Sequence, residues 1–523
     1  MPTLTISRRP CVQLALGLFF WAVPLPLAFA QTAVTILHTS EHHGTLEPLE
    51  QGSYKGQGGM ARRATLIERV RKEAPLVLLV DSGDLLIGTA MSSVFRGEAD
   101  IKAMNLMAYD ALALGNHDFD FGTAHLKKLK NEARFPFLCT NLRPREPDIC
   151  DRFIVKSIGP LRIGIIGLIG KRNYPDTFNR QALQELHFED PIEAARHAVS
   201  ELRERVEIIV AVTHEDTEED LALAAAIPAI DVIVGGHTEG FDGLISKGLR
   251  TPEKERVELS GAGAVFVKTH RQGRTLGRLD LLYHDRTILV AEARNVPVTS
   301  AVTANPKVSQ LVESYAGRLE TETERVIGDA AVNLEGGNMA IRTRETNLGN
   351  LLADLSRGQS GAEIGFVNAG QIRGGFSAGP ITRRRLMEVL PFDDGLCLLT
   401  LTGRELREAL ENSVSRLPEA NGRFLQISGL SYVFDPAAPV GSRVKTMQVN
   451  QTPLDLSRHY TVVTSQFLAD GGDGYTMFMH AGDRQNLELP LRDVLSAALK
   501  VGPLTAREES RIRRVGAQDD AAK

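Results

Sequence analysis

Tyr109-Asp110-Ala111-Leu112-Ala113-Leu114 runs into Gly115-Asn116-His117-Asp118-Phe119-Asp120-Phe121-Gly122, a short apolar stretch ending in a turn glycine and a knot of polar side chains. The pattern predicts a strand that delivers Asn, His and Asp to a sheet edge. Within one turn those residue types supply a metal ligand, a proton donor and an orienting carboxylate. They also suit a hairpin whose Asn and Asp satisfy only backbone groups. Partners elsewhere in the chain decide between the two.

Such partners recur. Val34–Thr39, Leu76–Asp81, Ile163–Leu168, Ile208–Thr213 and Ile230–Gly235 read as strands, with amphipathic runs such as Met60–Lys72 and Pro191–Val206 between them. This alternation predicts a layered α/β fold. Just past the strand ends stand Glu41-His42-His43, Gly83-Asp84, Asn116-His117, Thr213-His214 and Gly236-His237-Thr238-Glu239. Ligand crevices of α/β sheets lie at the carboxyl ends of strands, so the five clusters are expected to converge. Their imidazole, carboxylate and amide donors, without thiolate, suit a pair of divalent ions such as Zn, Mn, Mg or Fe rather than a structural zinc.

The chain has 523 residues, 43% hydrophobic and 24% charged, with a formal charge of -5. That length predicts two domains, and the basic residues form no long runs of the kind that grip a nucleic-acid polymer. Arg8 and Arg9, an apolar stretch from Cys11 to Phe29 and Ala28-Phe29-Ala30 have the form of a secretory signal over residues 1–30. Pro24 and Pro26 argue against a membrane span there. Export permits a Cys139–Cys150 disulfide, while Cys397 reads as a buried strand thiol. Asn305-Pro306 opens a helix whose Val308, Leu311, Val312, Tyr315 and Leu319 share a face, and it is expected to connect two domains. Beyond it, Asn368-Ala369-Gly370-Gln371-Ile372-Arg373, Pro391-Phe392-Asp393-Asp394 and Phe467 to Tyr475 place arginine and phenylalanine beside glycine-rich turns. Such a set is able to hold phosphate and sandwich a base.

The order of these motifs resembles the periplasmic 5′-nucleotidase/UDP-sugar hydrolase family of calcineurin-like metallophosphoesterases, over essentially the whole mature chain. The resemblance implies a four-layer α/β/β/α metallophosphoesterase domain at 31–300, a connector helix at 301–326, a smaller α/β nucleotide-binding domain at 327–515 and a frayed tail at 516–523. It implies two divalent metal ions (Zn, Mn, Mg or Co) sharing Asp84. Glu41, His43 and Glu239 fall on the first ion; Asn116, His214 and His237 fall on the second. His117 stabilises the transition state, oriented by Asp120. Arg342 and Arg373 contact phosphate, Phe392 and Phe467 stack the base, and Asp473 binds the ribose. The implied activity is hydrolysis of 5′-nucleotides, with UDP-sugars or other nucleotide diphosphates as further substrates, by a metal-activated water. The implied protein is a periplasmic monomer with no stable membrane anchor.

The sequence departs from the family pattern where Glu41 replaces Asp, where Glu239 replaces Gln or His, and where Asp394 replaces Asn. The two glutamates are expected to shift the first site toward harder ions such as Mn or Mg. The alternatives are a 2′,3′-cyclic nucleotide phosphodiesterase/3′-nucleotidase, whose members carry Asn in place of Asp120, and a catalytically weak nucleotide-binding protein.

Overall fold

The computed structural model describes residues 31–516 except 51–52, 146–147, 176, 179 and 260–262. The expected signal segment and all of the expected tail but Gly516 lie outside the described residues.

Two seven-stranded sheets stand face to face. The first runs Val257–Glu258, Thr287–Pro297, Thr275–His284, Thr32–Thr39, Val77–Asp81, Ala111–Ala113 and Phe137–Leu138, and its last four strands are parallel. The second runs Leu249–Thr251, Phe241–Ser246, Val265–Lys268, Val232–Gly235, Ile208–His214, Leu161–Ile169 and Phe153–Ile158, with four parallel strands at its centre.

The strands are apolar on both faces, as buried parallel strands must be. Alternation assigns each face a different core. Ile36, Leu78, Val80 and Ala113 meet Ile163, Ile165, Val210, Val212 and Val234 between the sheets. Leu37, Leu79 and Leu112 face the helices Met60–Glu73, Glu98–Met107 and Thr123–Glu132. Ile166, Ile209 and Ile233 face Pro191–Leu202 and Thr217–Ala226. This is the expected four-layer α/β/β/α order. The strand expected at 109–114 shortens to Ala111–Ala113; just before it the Asp110 carboxylate accepts from the Leu79 amide at 2.9 Å while the Asp110 amide donates to the Leu79 carbonyl at 2.8 Å.

Pro306–Thr323 is the expected helix, with the Asn305 side chain accepting from the amides of Lys307 and Val308. It is no free tether. Val308, Val312, Tyr315 and Leu319 are buried in the core that covers the first sheet, packed against Met60–Glu73 and Glu98–Met107.

The C-terminal region has a five-stranded sheet in the order Leu425–Ser428, Ile364–Asn368, His459–Ser465, Gly395–Thr402 and Gly482–Pro490. Asn347–Ser360, Gly403–Val414 and Leu491–Val501 are its main helices, and a large apolar core serves the region beside a smaller cluster of Ala362, Leu396, Val463 and Val494. Arg384 reaches across to Glu47 at 3.1 Å, tying it to the N-terminal half. Cys139 and Cys150 are joined in a disulfide, and Cys397 is a buried free thiol on Gly395–Thr402. Among the described residues no helix is long and apolar enough to cross a membrane.

Candidate active site

Five strands, three from the first sheet and two from the second, end at the same rim, and the backbone beyond them is unusual. Glu41, His43, Asp84 and His237 all adopt positive φ, at 52°, 50°, 57° and 65°. Each such non-glycine residue costs about 1–3 kcal/mol and persists only where its surroundings over-determine it. Here backbone hydrogen bonds stitch neighbouring loops together: the Glu41 amide donates to the Gly83 carbonyl and the His43 amide to the Asp84 carbonyl, both at 2.9 Å. Gly115 is required by close approach, since a Cβ there would sit 2.4 Å from an Asp84 carboxylate oxygen and 2.8 Å from the His214 ring.

Asp84 is the hub. Glu41, His43 and Asp84 form one buried group of potential ligands, and Asp84, His214 and His237 form a second, so both share Asp84. The histidines are oriented from behind. His43 Nδ1 donates to the Ile87 carbonyl at 2.9 Å and His214 Nδ1 to the Ser82 carbonyl at 2.8 Å. Each therefore turns Nε2 inward, the second-sphere arrangement typical of metal-binding imidazoles. His214 Nε2 lies 3.3 Å from Asp84 Oδ2, 3.2 Å from Asn116 Oδ1 and 3.2 Å from His237 Nδ1. Acceptor atoms that converge with few protons between them suit a cation, so the residues present fit divalent metal.

Burial raises the Asp84 pKa, but His214 and His117 outweigh it and hold the carboxyl well below the usual carboxylate range. Burial likewise opposes charge on His214, yet the adjacent Asp84 and Glu41 bring it up to about 9.

His117 sits at the mouth of this cluster on a short 3-10 turn, His117–Phe119. Its amide donates to Asp84 Oδ1 at 2.9 Å and its Nδ1 to Asp120 Oδ2 at 2.6 Å. Burial lowers its pKa, but Asp120 and then Asp84 win, leaving it above the ordinary imidazole value. Asp118, one residue on, is scaffolding. Its carboxylate accepts from the amides of Gly115, Asp84 and Leu85 at 2.8, 3.1 and 2.9 Å, locking the two loops together.

The C-terminal region closes the site from the other side. An Arg373 Nη donates to His117 Nε2 at 3.0 Å, and its guanidinium lies 5.4 Å above the Phe392 ring. Phe392 in turn is 6.1 Å from the His117 ring. Arg342 is pulled down to about 9 by burial, then by the nearby Arg373 and Arg271. The Nε atoms of both Arg342 and Arg373 are buried and lack a hydrogen-bond partner among the described residues. Unsatisfied guanidinium donors in a shared cleft call for an anion. Phe467 lies in the short helix Gln466–Ala469, and Asp394, two residues after Phe392, ties that helix to the Phe392 segment by accepting from the Phe467 amide at 2.9 Å. Asp394 therefore serves the backbone. Asp473, at a φ of 54°, accepts from Asn368 at 2.7 Å.

Of the expected first-site ligands, Glu239 is the one that the structure does not bring to Asp84. It is half exposed, and its carboxylate is gripped by Arg274 at 2.6 Å and by His270 at 2.7 Å. Glu41 is buried but claimed as well. Arg271 donates to its Oε2 from Nη at 2.5 Å and from Nε at 3.1 Å, and the His237 amide donates to its Oε1 at 2.6 Å. Burial raises the Glu41 pKa, but Arg271 overrides it and holds the carboxyl at about 2. The sequence reading passed over His270, Arg271 and Arg274. Their signal was the basic run Lys268-Thr269-His270-Arg271-Gln272-Gly273-Arg274 directly after an apolar strand.

Two facing sheets with carboxylate and imidazole donors gathered at one rim define a metal-dependent phosphoesterase of the calcineurin-like class. Comparison with known proteins agrees: residues 34–239 match the calcineurin-like phosphoesterase family and residues 326–480 the 5′-nucleotidase C-terminal domain. The chain is 31% identical to the 5′-nucleotidase of Homo sapiens over 517 residues, covering 90% of this chain and 88% of that protein. It is 32% identical to the snake venom 5′-nucleotidase of Gloydius brevicauda, with 92% and 88% covered. The crystal structure of a 5′-nucleotidase precursor from Thermus thermophilus superposes with a TM-score of 0.80 at 34% identity, covering 93% of this chain and all of that one. The chain belongs to the 5′-nucleotidase family and is a phosphoric monoester hydrolase.

Proposed function

We propose that the protein hydrolyses nucleoside 5′-monophosphates to nucleoside and phosphate, with nucleotide diphosphates such as UDP-sugars as further substrates. The observation that carries this reading is the 3.0 Å contact between Arg373 and His117. It sets a cationic pocket and an aromatic platform from the C-terminal region directly against the Asp84 cluster.

In this reading Glu41, His43 and Asp84 hold one divalent ion, and Asp84, Asn116, His214 and His237 hold another. Bound there, the ions supply Lewis acidity toward phosphoryl oxygen and an acidified water. The chain's own groups do the rest. Arg342 and Arg373 hold the phosphate, and Phe392 and Phe467 take the base between their faces. Asp473 accepts from the ribose hydroxyls, positioned by Asn368.

His117 faces two opposing demands. Asp120 and Asp84 favour its protonated form, whereas the Arg373 N–H pointing at Nε2 requires a bare nitrogen there. A phosphoryl oxygen entering between them accepts from both, so charge that develops on the phosphoryl oxygens finds two donors already in place. We place the mature protein in the periplasm as a monomer; the Cys139–Cys150 bridge fits an oxidising compartment.

The test is hydrolysis of AMP, UDP-glucose, 2′,3′-cyclic AMP and bis-p-nitrophenyl phosphate, each followed by chromatography of its products, with Mn, Co, Mg or Zn supplied. AMP is expected to be turned over fastest. Preference for the cyclic substrate would transfer the reading to the phosphodiesterase branch, and tight AMP binding without turnover under any metal would reduce it to a binding protein.

A further inference from the structure

The two potential metal positions around Asp84 are not equally available, and the difference lies in one loop. In the group Glu41, His43 and Asp84, the inward atoms are spaced for a cation. His43 Nε2 is 3.3 Å from Glu41 Oε2 and 3.9 Å from Asp84 Oδ2. Yet that same Oε2 is the atom to which Arg271 donates twice, at 2.5 and 3.1 Å. The other carboxylate oxygen takes the His237 amide, so both oxygens of Glu41 are committed. Arg271 is itself anchored, donating to the His237 carbonyl at 3.0 Å, while the amide of Gln272 donates to the Glu41 carbonyl at 2.8 Å. Three residues further on, Arg274 together with His270 holds Glu239 away from the cluster. In the group Asp84, His214 and His237, no arginine or lysine among the described residues stands on a donor atom in this way.

We propose that Arg271 is a built-in competitor for the first metal position, so that the Glu41–His43–Asp84 site is the weaker, exchangeable one. It fills only as a divalent cation shares or displaces the guanidinium on Glu41 Oε2. The Asp84–His214–His237 site fills without displacing a guanidinium. The loop His270–Arg274 thus sets the order of metal loading. This inference rests on the two-ion reading above.

The experiment is Mn2+ binding to the metal-stripped full chain, followed by isothermal titration calorimetry and by electron paramagnetic resonance, in which a coupled Mn pair has its own signal. Wild type is expected to bind in two steps. Arg271→Gln is expected to tighten the weaker step by about tenfold to a hundredfold, as loss of a charge-assisted hydrogen bond predicts, and to leave the tighter step within about threefold. The coupled signal then appears at correspondingly lower Mn2+. Arg271→Lys keeps the positive charge against Glu41 and is expected to stay near wild type, which separates competition from loss of fold. Two ions in both proteins, with the weaker step unchanged or weakened in Arg271→Gln, would overturn the proposal alone. A single ion in both at millimolar Mn2+ would overturn it together with the two-ion reading.

Discussion

On one side of Asp84, His214 is fixed by the Ser82 carbonyl, Asn116 and His237 close around it, and each donor follows directly from the end of its own strand. On the other side, Glu41 is fixed by an arginine that arrives from a loop 230 residues later in the chain. The first arrangement offers electron pairs; the second offers a carboxylate that is already neutralised. A shared bridging residue therefore does not make two equivalent sites, and the charge balance of each must be counted from its surroundings.

Asp84→Asn strikes both sides at once and is expected to have the largest effect. It removes the carboxylate charge common to both groups and alters the acceptor of the His117 amide. Turnover is expected to fall by about four orders of magnitude or more, with metal content measured by mass spectrometry reduced at both positions. Retention of one full equivalent of metal would mean that the His214 side stands without Asp84, and that the two halves are more independent than their geometry implies.

His117→Ala comes next. Its side chain supplies no proposed ligand atom and its amide bond to Asp84 survives the change, so metal content is expected to stay at the wild-type level while kcat falls by about two to three orders of magnitude. The accompanying pH prediction has a defined sign. His117 is held above the ordinary imidazole value, with burial opposing and Asp120 and Asp84 raising it. Its protonated form is therefore available at neutral pH and is lost as pH rises through the raised pKa. Asp120→Asn removes the chief raising influence, so the alkaline fall in kcat is expected to begin at lower pH than in wild type. An alkaline limb that does not move would take His117 protonation out of the rate.

Phe467→Ala tests the aromatic platform. Stacking on a base is worth about 1–3 kcal/mol, so KM for AMP is expected to rise by about five- to a hundredfold. KM for p-nitrophenyl phosphate, which lacks a nucleobase, is expected to change by less than about threefold. An equal rise for both substrates would return Phe467 to ordinary packing against the C-terminal core, where it already makes apolar contact.

The contrast across Asp84 also marks how far sequence alone reaches. The sheets were legible because strands buried on both faces read as uninterrupted apolar runs, and polar residues just beyond them land on one rim. His43, Asp84, Asn116, His214 and His237 fall into that pattern, since strand order and direction place them. Arg271 does not. Its role depends on the side-chain reach of a loop residue across to Glu41, and no periodicity encodes such a pairing. The same holds for Asp394, whose carboxylate turns to the Phe467 amide rather than to the cleft, and for the helix Pro306–Thr323, whose spacing revealed its apolar face but not that the face packs on the N-terminal half.

Glu239 carries the smallest expected effect and the sharpest test of the asymmetry. Motif position makes it a ligand; the structure gives its carboxylate to Arg274 and His270, with the side chain 52% exposed. Ion pairs at such exposure contribute about 0–1 kcal/mol, because solvent screens the charges and two long side chains lose rotamer freedom. Glu239→Gln is therefore expected to lower stability by less than about 1 kcal/mol and to leave metal stoichiometry unchanged, with kcat within about threefold of wild type. Loss of one equivalent of metal in this variant would show that Glu239 swings back to the cluster when a cation arrives. The first position would then have four protein donors instead of three, and the ion pairs of the His270–Arg274 loop would be a resting arrangement that metal binding breaks.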